Sequence, residues 1–119
     1  MSAGLPEDWI QSLVAALLRP DVERILLFGS RARGEDDSSS DVDLIIIRDT
    51  SASFLQRLAE SYQQLADAAL RLGVDVDLLV YTPEEYRRLL EDENPLITTA
   101  HREGKVLYER PPSGSGTVV

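Results

Sequence analysis

The chain has 119 residues, 43% of them hydrophobic, and no cysteine, so we expect one compact domain without disulfides or thiolate metal sites. Its 12 basic and 21 acidic residues give a net charge of −9, which argues against broad binding to a nucleic-acid backbone. It shows neither an apolar run of membrane-spanning length nor a secretory signal, so we expect a cytoplasmic protein without a membrane span.

The first half of the chain alternates helical and extended patterns. Apolar residues at helical spacing predict a helix over about residues 6–18. Residues 22–28 and 42–47 are rich in β-branched and aliphatic residues and predict two strands. A helix over about residues 53–72 follows, with polar residues 49–51 as its caps. Its expected buried stripe is Phe54, Leu58, Tyr62, Leu65, Ala69 and Leu72.

The second half continues with a helix stop at Gly73 and a third strand over residues 74–81. Thr82, Pro83 and Glu85 predict a capping box that opens the next helix. A short final helix is expected from Asn94 to Gly104, followed by an edge strand over residues 106–109. We expect an α/β (α+β) domain over residues 1–110, with helices mainly on one side of a mixed sheet, and a flexible tail over residues 111–119.

Acidic residues interrupt two of these strands, where aspartate is unfavourable. Asp41 and Asp43 project to one face because side chains alternate along a strand, and Asp75 and Asp77 likewise share a face. Neighbouring carboxylates raise each other's pKa unless a cation neutralises them. Mg²⁺ suits this role because it prefers carboxylates together with phosphate oxygens. For each aspartate taken singly, a solvated face or strand end is the better explanation, and only the pair together with the preceding turn favours a metal site.

A glycine-rich turn directly follows the first strand and precedes the acidic pair. Gly29 permits a sharp turn and a close approach to a ligand, and Ser30 offers a hydroxyl. Free N–H groups at the start of a helical turn bind anions, and Arg31 or Arg33 adds positive charge for phosphate. Either feature by itself is common in surface loops, whereas their combination with a Ser-Asp-x-Asp strand start is specific.

These motifs resemble the DNA polymerase beta-like nucleotidyltransferase superfamily. The resemblance rests on GSRARG at 29–34, SDVDL at 40–44 and VDLLVY at 76–81, and extends over about residues 5–110. It is greatest for the minimal nucleotidyltransferases, which accompany HEPN-domain toxins in prokaryotic toxin–antitoxin pairs. The resemblance implies the polymerase beta-like fold and transfer of a nucleoside monophosphate to an acceptor hydroxyl.

Site residues follow from the same resemblance. It implies that Gly29, Ser30 and Arg33 hold the triphosphate of ATP. Asp41 and Asp43 would bind Mg²⁺, expected as two ions, and Asp77 would be the third carboxylate. Asp75 stays open as an alternative third acid, and Asp77 is preferred because it directly precedes the apolar 78–80 segment.

The resemblance also implies a partner, since a short chain has little room for an acceptor-binding domain. We expect a HEPN-type toxin, with this chain as an antitoxin that attaches AMP to it, in a possible homo- or hetero-oligomer. Two alternatives remain: a non-catalytic antitoxin that neutralises its partner by binding, and a transferase acting on a small molecule. The single histidine, His101, is expected to be a surface or packing residue, since one histidine makes no metal site.

Overall fold

A computed structural model describes residues 6–29, 32 and 41–111. The predicted tail therefore lies outside the described residues, apart from Pro111. The helices are α1 (Glu7–Leu17), α2 (Phe54–Leu72), α3 (Pro83–Glu91) and α4 (Pro95–Glu103). The strands are β1 (Val22–Phe28), β2 (Val42–Arg48), β3 (Val76–Tyr81) and β4 (Lys105–Glu109).

The strands form one mixed sheet in the order β3-β2-β1-β4. β1 lies antiparallel to both β2 and β4, and β2 lies parallel to β3. The parallel pair is possible because the 19 residues of α2 provide the long crossover that such a connection needs. The predicted mixed sheet and its edge strand β4 are confirmed.

Helices cover the two faces of the sheet unequally. The longer α1 and α2 pack on one face, over a core that includes Leu13, Leu17, Val42, Leu44 and Leu65. The other face carries α3 and α4, each of nine residues, over a smaller core around Leu26, Ile45, Ile47, Tyr86 and Ile97. Two helices therefore lie on each face, and the face expected to carry most of the helical packing carries the longer ones.

Most predicted helix ends are confirmed. Thr82 and Glu85 form the capping box at α3, and the Asn94 side chain accepts a hydrogen bond from the Ile97 amide at α4. Gly73 ends α2 in the left-handed conformation, with φ of 69°. The cap expected at residues 49–51 is wrong: Ser53 caps α2 instead, because its hydroxyl accepts a hydrogen bond from the Gln56 amide.

The predicted buried stripe of α2 is confirmed for Leu58, Leu65, Ala69 and Leu72, which pack on the core, and is wrong for the two aromatic residues. Phe54 and Tyr62 are exposed, whereas Arg57 and Ser61 are buried. Hydrophobicity placed the two aromatic side chains inside, but the fold provides partners for a buried guanidinium. Arg57 pairs with Glu85 at 2.7 Å and donates to the Ala52 carbonyl at 2.8 Å, which offsets the cost of burying its charge.

A second arginine is buried at the end of β2. The Arg48 side chain is 2% exposed and pairs with Asp21 at 2.9 Å and with Glu60 at 3.2 Å. Asp21 belongs to the turn before β1 and Glu60 to α2, so one guanidinium ties three segments together. No local sequence pattern indicates this group, because its three members are far apart in the chain.

His101 behaves as expected for a packing residue. Its ring nitrogen Nδ1 lies 2.8 Å from the Tyr86 hydroxyl, and the two rings are in tilted contact between α3 and α4. Within the described parts of the chain, every helix is too short or too polar to cross a bilayer.

Candidate functional site

The pairing of β2 with β3 brings two of the predicted acids together. Asp43 lies directly beside Asp77 in the parallel register, and their side chains share a hydrogen bond. Both point to the face that carries α3 and α4, since Ile45 and Ile47 follow Asp43 on that face. Asp43 lies near the start of β2, so the two carboxylates are at that end of this second face.

Asp75 lies two residues before Asp77, at the level of Asp41 and not of Asp43. It precedes the first residue of β3, and its carbonyl accepts a hydrogen bond from the Val42 amide at 2.9 Å. Asp75 is not among the charges that affect Asp43, whereas Asp77 and Asp41 both are. Of the two candidate third acids, Asp77 is therefore the one that acts on Asp43, whereas Asp75 lies at the level of Asp41.

The turn after β1 closes onto this carboxylate pair. Gly29 has φ of 81°, a conformation that side chains disfavour. A Cβ atom at this position would lie 2.6 Å from Oδ2 of Asp43. The Ala32 amide donates to the Gly29 carbonyl at 3.1 Å, which closes the turn. Glycine is therefore required twice here, for its backbone conformation and for its close approach to Asp43.

Among the described residues, no cation offsets the negative charge of this pair. Burial raises the pKa of the Asp43 carboxyl, and the charges of Asp77 and Asp41 raise it further. The hydrogen bond with Asp77 acts in the same direction because it favours the protonated form. A cation bound between the two carboxylates would relieve their repulsion and would take the place of the proton that Asp43 otherwise tends to hold.

The donor set fits a hard divalent cation that is shared with a phosphate. Among residues 6–29, 32 and 41–111, no three His, Asp or Glu side chains form a ready metal-binding cluster. Two carboxylates suffice for Mg²⁺ when substrate phosphates and water supply the other ligands. Asp43 and Asp77 provide that pair, with Asp41 nearby as a further negative charge.

Several predicted site residues lie outside the described residues. These are Ser30, Arg31 and Arg33, together with the acidic loop over residues 35–40. Their expected roles at the triphosphate therefore stay predictions. The structure brings together Gly29, Asp41, Asp43 and Asp77 from the predicted set.

A small cavity adjoins the turn, and the sequence analysis missed it. It has a volume of about 140 Å³ and is bordered by Phe28, Gly29 and Ala32 on one side and by α4 on the other. The signal that could have found it is Gly104, where a Cβ would clash with the Ala100 carbonyl and lie 2.9 Å from the Leu27 carbonyl. α4 therefore sits close to β1 beside the acids.

A larger cavity, about 620 Å³, lies at the opposite ends of β2 and β3. Its walls come from the starts of α2 and α3 and include Phe54, Arg57, Tyr81 and Arg88. None of the clustered acids reaches it. The acidic pair lies instead by the smaller cavity, next to the turn at Gly29.

Comparison with known proteins agrees with this geometry. The family model described as polymerase beta, nucleotidyltransferase matches residues 12–113. Two similar proteins of Methanocaldococcus jannaschii are named as candidate protein adenylyltransferases. MJ0141 is 28% identical over 66% of this chain and 73% of its own length. MJ1305 is 32% identical over 76% of this chain and 60% of its own length.

Solved structures share the fold. A toxin–antitoxin structure with AMP-PNP superposes with a TM-score of 0.60 at 24% identity, covering 89% of this chain and 75% of that one. The complex of a tri-AMPylated Shewanella oneidensis HEPN toxin with its MNT antitoxin gives 0.54 at 21% identity, covering 88% and 74%. The expected fold is thereby confirmed, and the family match spans most of the sequence. The chain belongs to the polymerase beta nucleotidyltransferase family, and it is a nucleotidyltransferase.

Proposed function

We propose that this chain transfers AMP from ATP to a hydroxyl group of a protein partner, with Mg²⁺ held by Asp41, Asp43 and Asp77. The proposal rests on one observation: the carboxylates of Asp43 and Asp77 lie side by side next to the turn at Gly29. A Cβ atom at Gly29 would come too close to the Asp43 carboxylate. That arrangement costs stability and has no partner in the described part of the fold. It is explained if a cation and a phosphate chain occupy the space.

In the proposed reaction the acceptor oxygen attacks the α-phosphorus of ATP. A new oxygen–phosphorus bond forms as the bond to the β-phosphate breaks, and pyrophosphate leaves with the electron pair. Asp77 is the more exposed carboxylate of the pair and is suited to accept the proton of the acceptor hydroxyl. Gly29, with Ser30 and Arg33 beyond it, would hold the phosphates against Asp43.

Bound Mg²⁺ would stabilise the charge that develops on the entering and leaving oxygens. Asp43 is partly buried and lies close to two other acids, which raises the pKa of its carboxyl. Protons then compete with the metal, so binding strengthens as the pH rises through the raised pKa. Because Gly29 has no side chain, the turn leaves space for the phosphates to approach the carboxylates.

A protein acceptor is supported by two independent likenesses. The M. jannaschii relatives are named as protein adenylyltransferases, and the structural neighbour from Shewanella oneidensis is an MNT antitoxin bound to an AMPylated HEPN toxin. A HEPN-type toxin is therefore the partner we propose, with this chain as its antitoxin.

Co-expression with a neighbouring HEPN-type reading frame, followed by incubation with α-labelled ATP and Mg²⁺, tests the proposal. We expect label on the partner with the natural chain, and at least a 100-fold lower rate with Asp43→Asn, because the charge of the metal-binding carboxylate is lost. Asp75→Asn is the matched control, since it removes a neighbouring acid that does not contribute to the raised pKa of Asp43, and should keep the rate.

Equal loss in Asp43→Asn and Asp75→Asn would show that general acidity, not this pair, supports the reaction. An unlabelled partner with the natural chain would refute protein adenylylation.

A second candidate function is neutralisation of the partner by binding without catalysis. The net charge of −9 favours it, since such a surface suits a basic protein. A cell-survival assay separates the two functions. If Asp43→Asn protects cells from the partner as well as the natural chain does, binding is sufficient. If protection is lost while the two chains still co-purify, the transfer reaction is required.

A further inference from the structure

The longest helix carries an unusual solvent face. Leu55 and Leu70 on α2 are 75% and 80% exposed, and Tyr62 is 39% exposed. With 3.6 residues per turn these three fall, together with the exposed Ala59 and Ala66, within an arc of about 80° on the side away from the core. We call these five residues the α2 outer face.

Charge is missing from this face, although 28% of the chain is charged. The polar residues beside it are glutamines, Gln56 and Gln63. The nearest acids are already paired within the chain: Asp67 lies 3.2 Å from Arg71, and Glu60 lies 3.2 Å from Arg48. A solvent-facing helix usually carries free charges there, so this face has the character of a helix that packs against another element.

The order of residues along the face is nearly the same in both directions. Leu55 and Leu70 stand at its ends, Ala59 and Ala66 lie inside them, and Tyr62 is near the centre. Two copies of α2 placed antiparallel about that centre put Leu55 opposite Leu70 and Ala59 opposite Ala66. The two alanines leave room for close approach of the second helix. A two-fold axis demands this kind of self-complementary surface.

We propose that two copies of the chain associate through the α2 outer face, with their α2 helices antiparallel. Local charge permits this contact despite the net charge of −9, because the neighbouring acids are neutralised within each copy. A single helix face is small beside a standard interface, so the association should depend on concentration. Repulsion between the two acidic copies should make it stronger as salt is added.

This arrangement leaves the acidic end free. α2 packs on the opposite face of the sheet from Asp43 and Asp77. On the edge of β3, the Leu78 amide already donates to the Tyr62 hydroxyl at 2.9 Å, and strand addition there would have to break this bond. Helix pairing is therefore favoured over strand addition at this edge, and each copy keeps its own proposed reaction site.

Disulfide trapping tests the pairing directly, because the natural chain has no cysteine. Ala59→Cys and Ala66→Cys are made separately, mixed and oxidised mildly. Antiparallel helices bring residue 59 of one copy to residue 66 of the other, so the mixture should form a covalent dimer. Each variant by itself should not, since the seven-residue offset is about 10.5 Å along the helix, beyond the roughly 4.4–6.8 Å that a disulfide spans.

Cross-linking of each variant with itself, without any cross-link between the two variants, would indicate parallel helices and overturn the proposed geometry. No cross-link in any sample would overturn self-association through this face.

Sedimentation measured over a range of concentrations provides a second reading. The double variant Leu55→Glu/Leu70→Glu should sediment as a monomer at concentrations where the natural chain dimerises. Both positions are largely exposed, so the fold should tolerate the change. Val106→Glu, on the exposed part of β4, is the control and should leave the dimer intact. A monomeric natural chain at all concentrations and salt levels would refute the proposal.

Discussion

The charged side chains at the two ends of β2 lie in opposite electrostatic surroundings. At its last residue, Arg48 is 2% exposed and is neutralised by Asp21 and Glu60. Near its start, Asp43 lies against Asp77 and close to Asp41, and each of these neighbours raises its pKa. Within the described residues, one end of this strand therefore carries a neutralised charge group and the other carries acids without a paired cation.

This difference separates structural charge from functional charge. The fold gains an anchor between segments from the group around Arg48, because opposite charges and hydrogen bonds offset the loss of water. It gains nothing comparable from the acids at the start of the strand. A group that the protein keeps at a cost to stability is a strong candidate for binding something else.

The largest effect is expected when the neutralised charge group is broken. Arg48→Ala leaves Asp21 and Glu60 facing each other without their cation and removes a buried side chain. We expect a loss of about 3 kcal/mol in the free energy of unfolding, measured by urea denaturation. Arg87→Ala is the control, because Arg87 and Glu91 form an exposed pair at 3.7 Å, and it should cost less than about 0.5 kcal/mol. Similar losses in both variants would show that burial of Arg48 adds no stability.

A smaller effect is expected at the turn that touches the acidic end. Gly29→Ala and Gly73→Ala each place a side chain in a left-handed conformation, at a cost of about 1–2 kcal/mol. A Cβ at Gly73 meets nothing within 4 Å, whereas at Gly29 it would crowd Asp43. Gly29→Ala should therefore lose more unfolding free energy than Gly73→Ala.

A double-mutant cycle isolates this crowding. In an Asp43→Ala background the extra cost of Gly29→Ala should disappear, since the crowded carboxylate is gone. An unchanged difference between the two glycine variants in that background would contradict close contact between Gly29 and Asp43.

The smallest effect is a gain in stability from Asp43→Asn. The folded pKa of Asp43 is raised, so its ionised form lowers stability above the unfolded value of about 3.9. Asparagine removes that charge, and the thermal midpoint at pH 7 in a metal chelator should rise. The gain should fade as the pH falls through the unfolded pKa, because both forms are then uncharged. Asp75→Asn should show no such gain, and an equal gain there would contradict the pairing of Asp43 with Asp77.

Much of the fold could be predicted from local patterns. Short-range signals placed the strand Val22–Phe28, the capping box at Thr82 and the helix stop at Gly73. Local patterns could not predict that polar side chains, Arg57 and Ser61, would be part of the buried side of α2. Hydrophobicity favoured Phe54 and Tyr62, while the fold buried Arg57 because Glu85, 28 positions later, neutralises it.

The sequence by itself determined the elements, their caps and the Gly-Ser and Asp-x-Asp motifs, because each depends on residues a few positions apart. Only the tertiary structure decided which acid of β3 meets Asp43, which charges are neutralised and which face of α2 is left to solvent. Those outcomes depend on strand register and on contacts between distant residues, such as Asp43 with Asp77 and Arg48 with Asp21. Local patterns carry no information about such pairings until the sheet has formed.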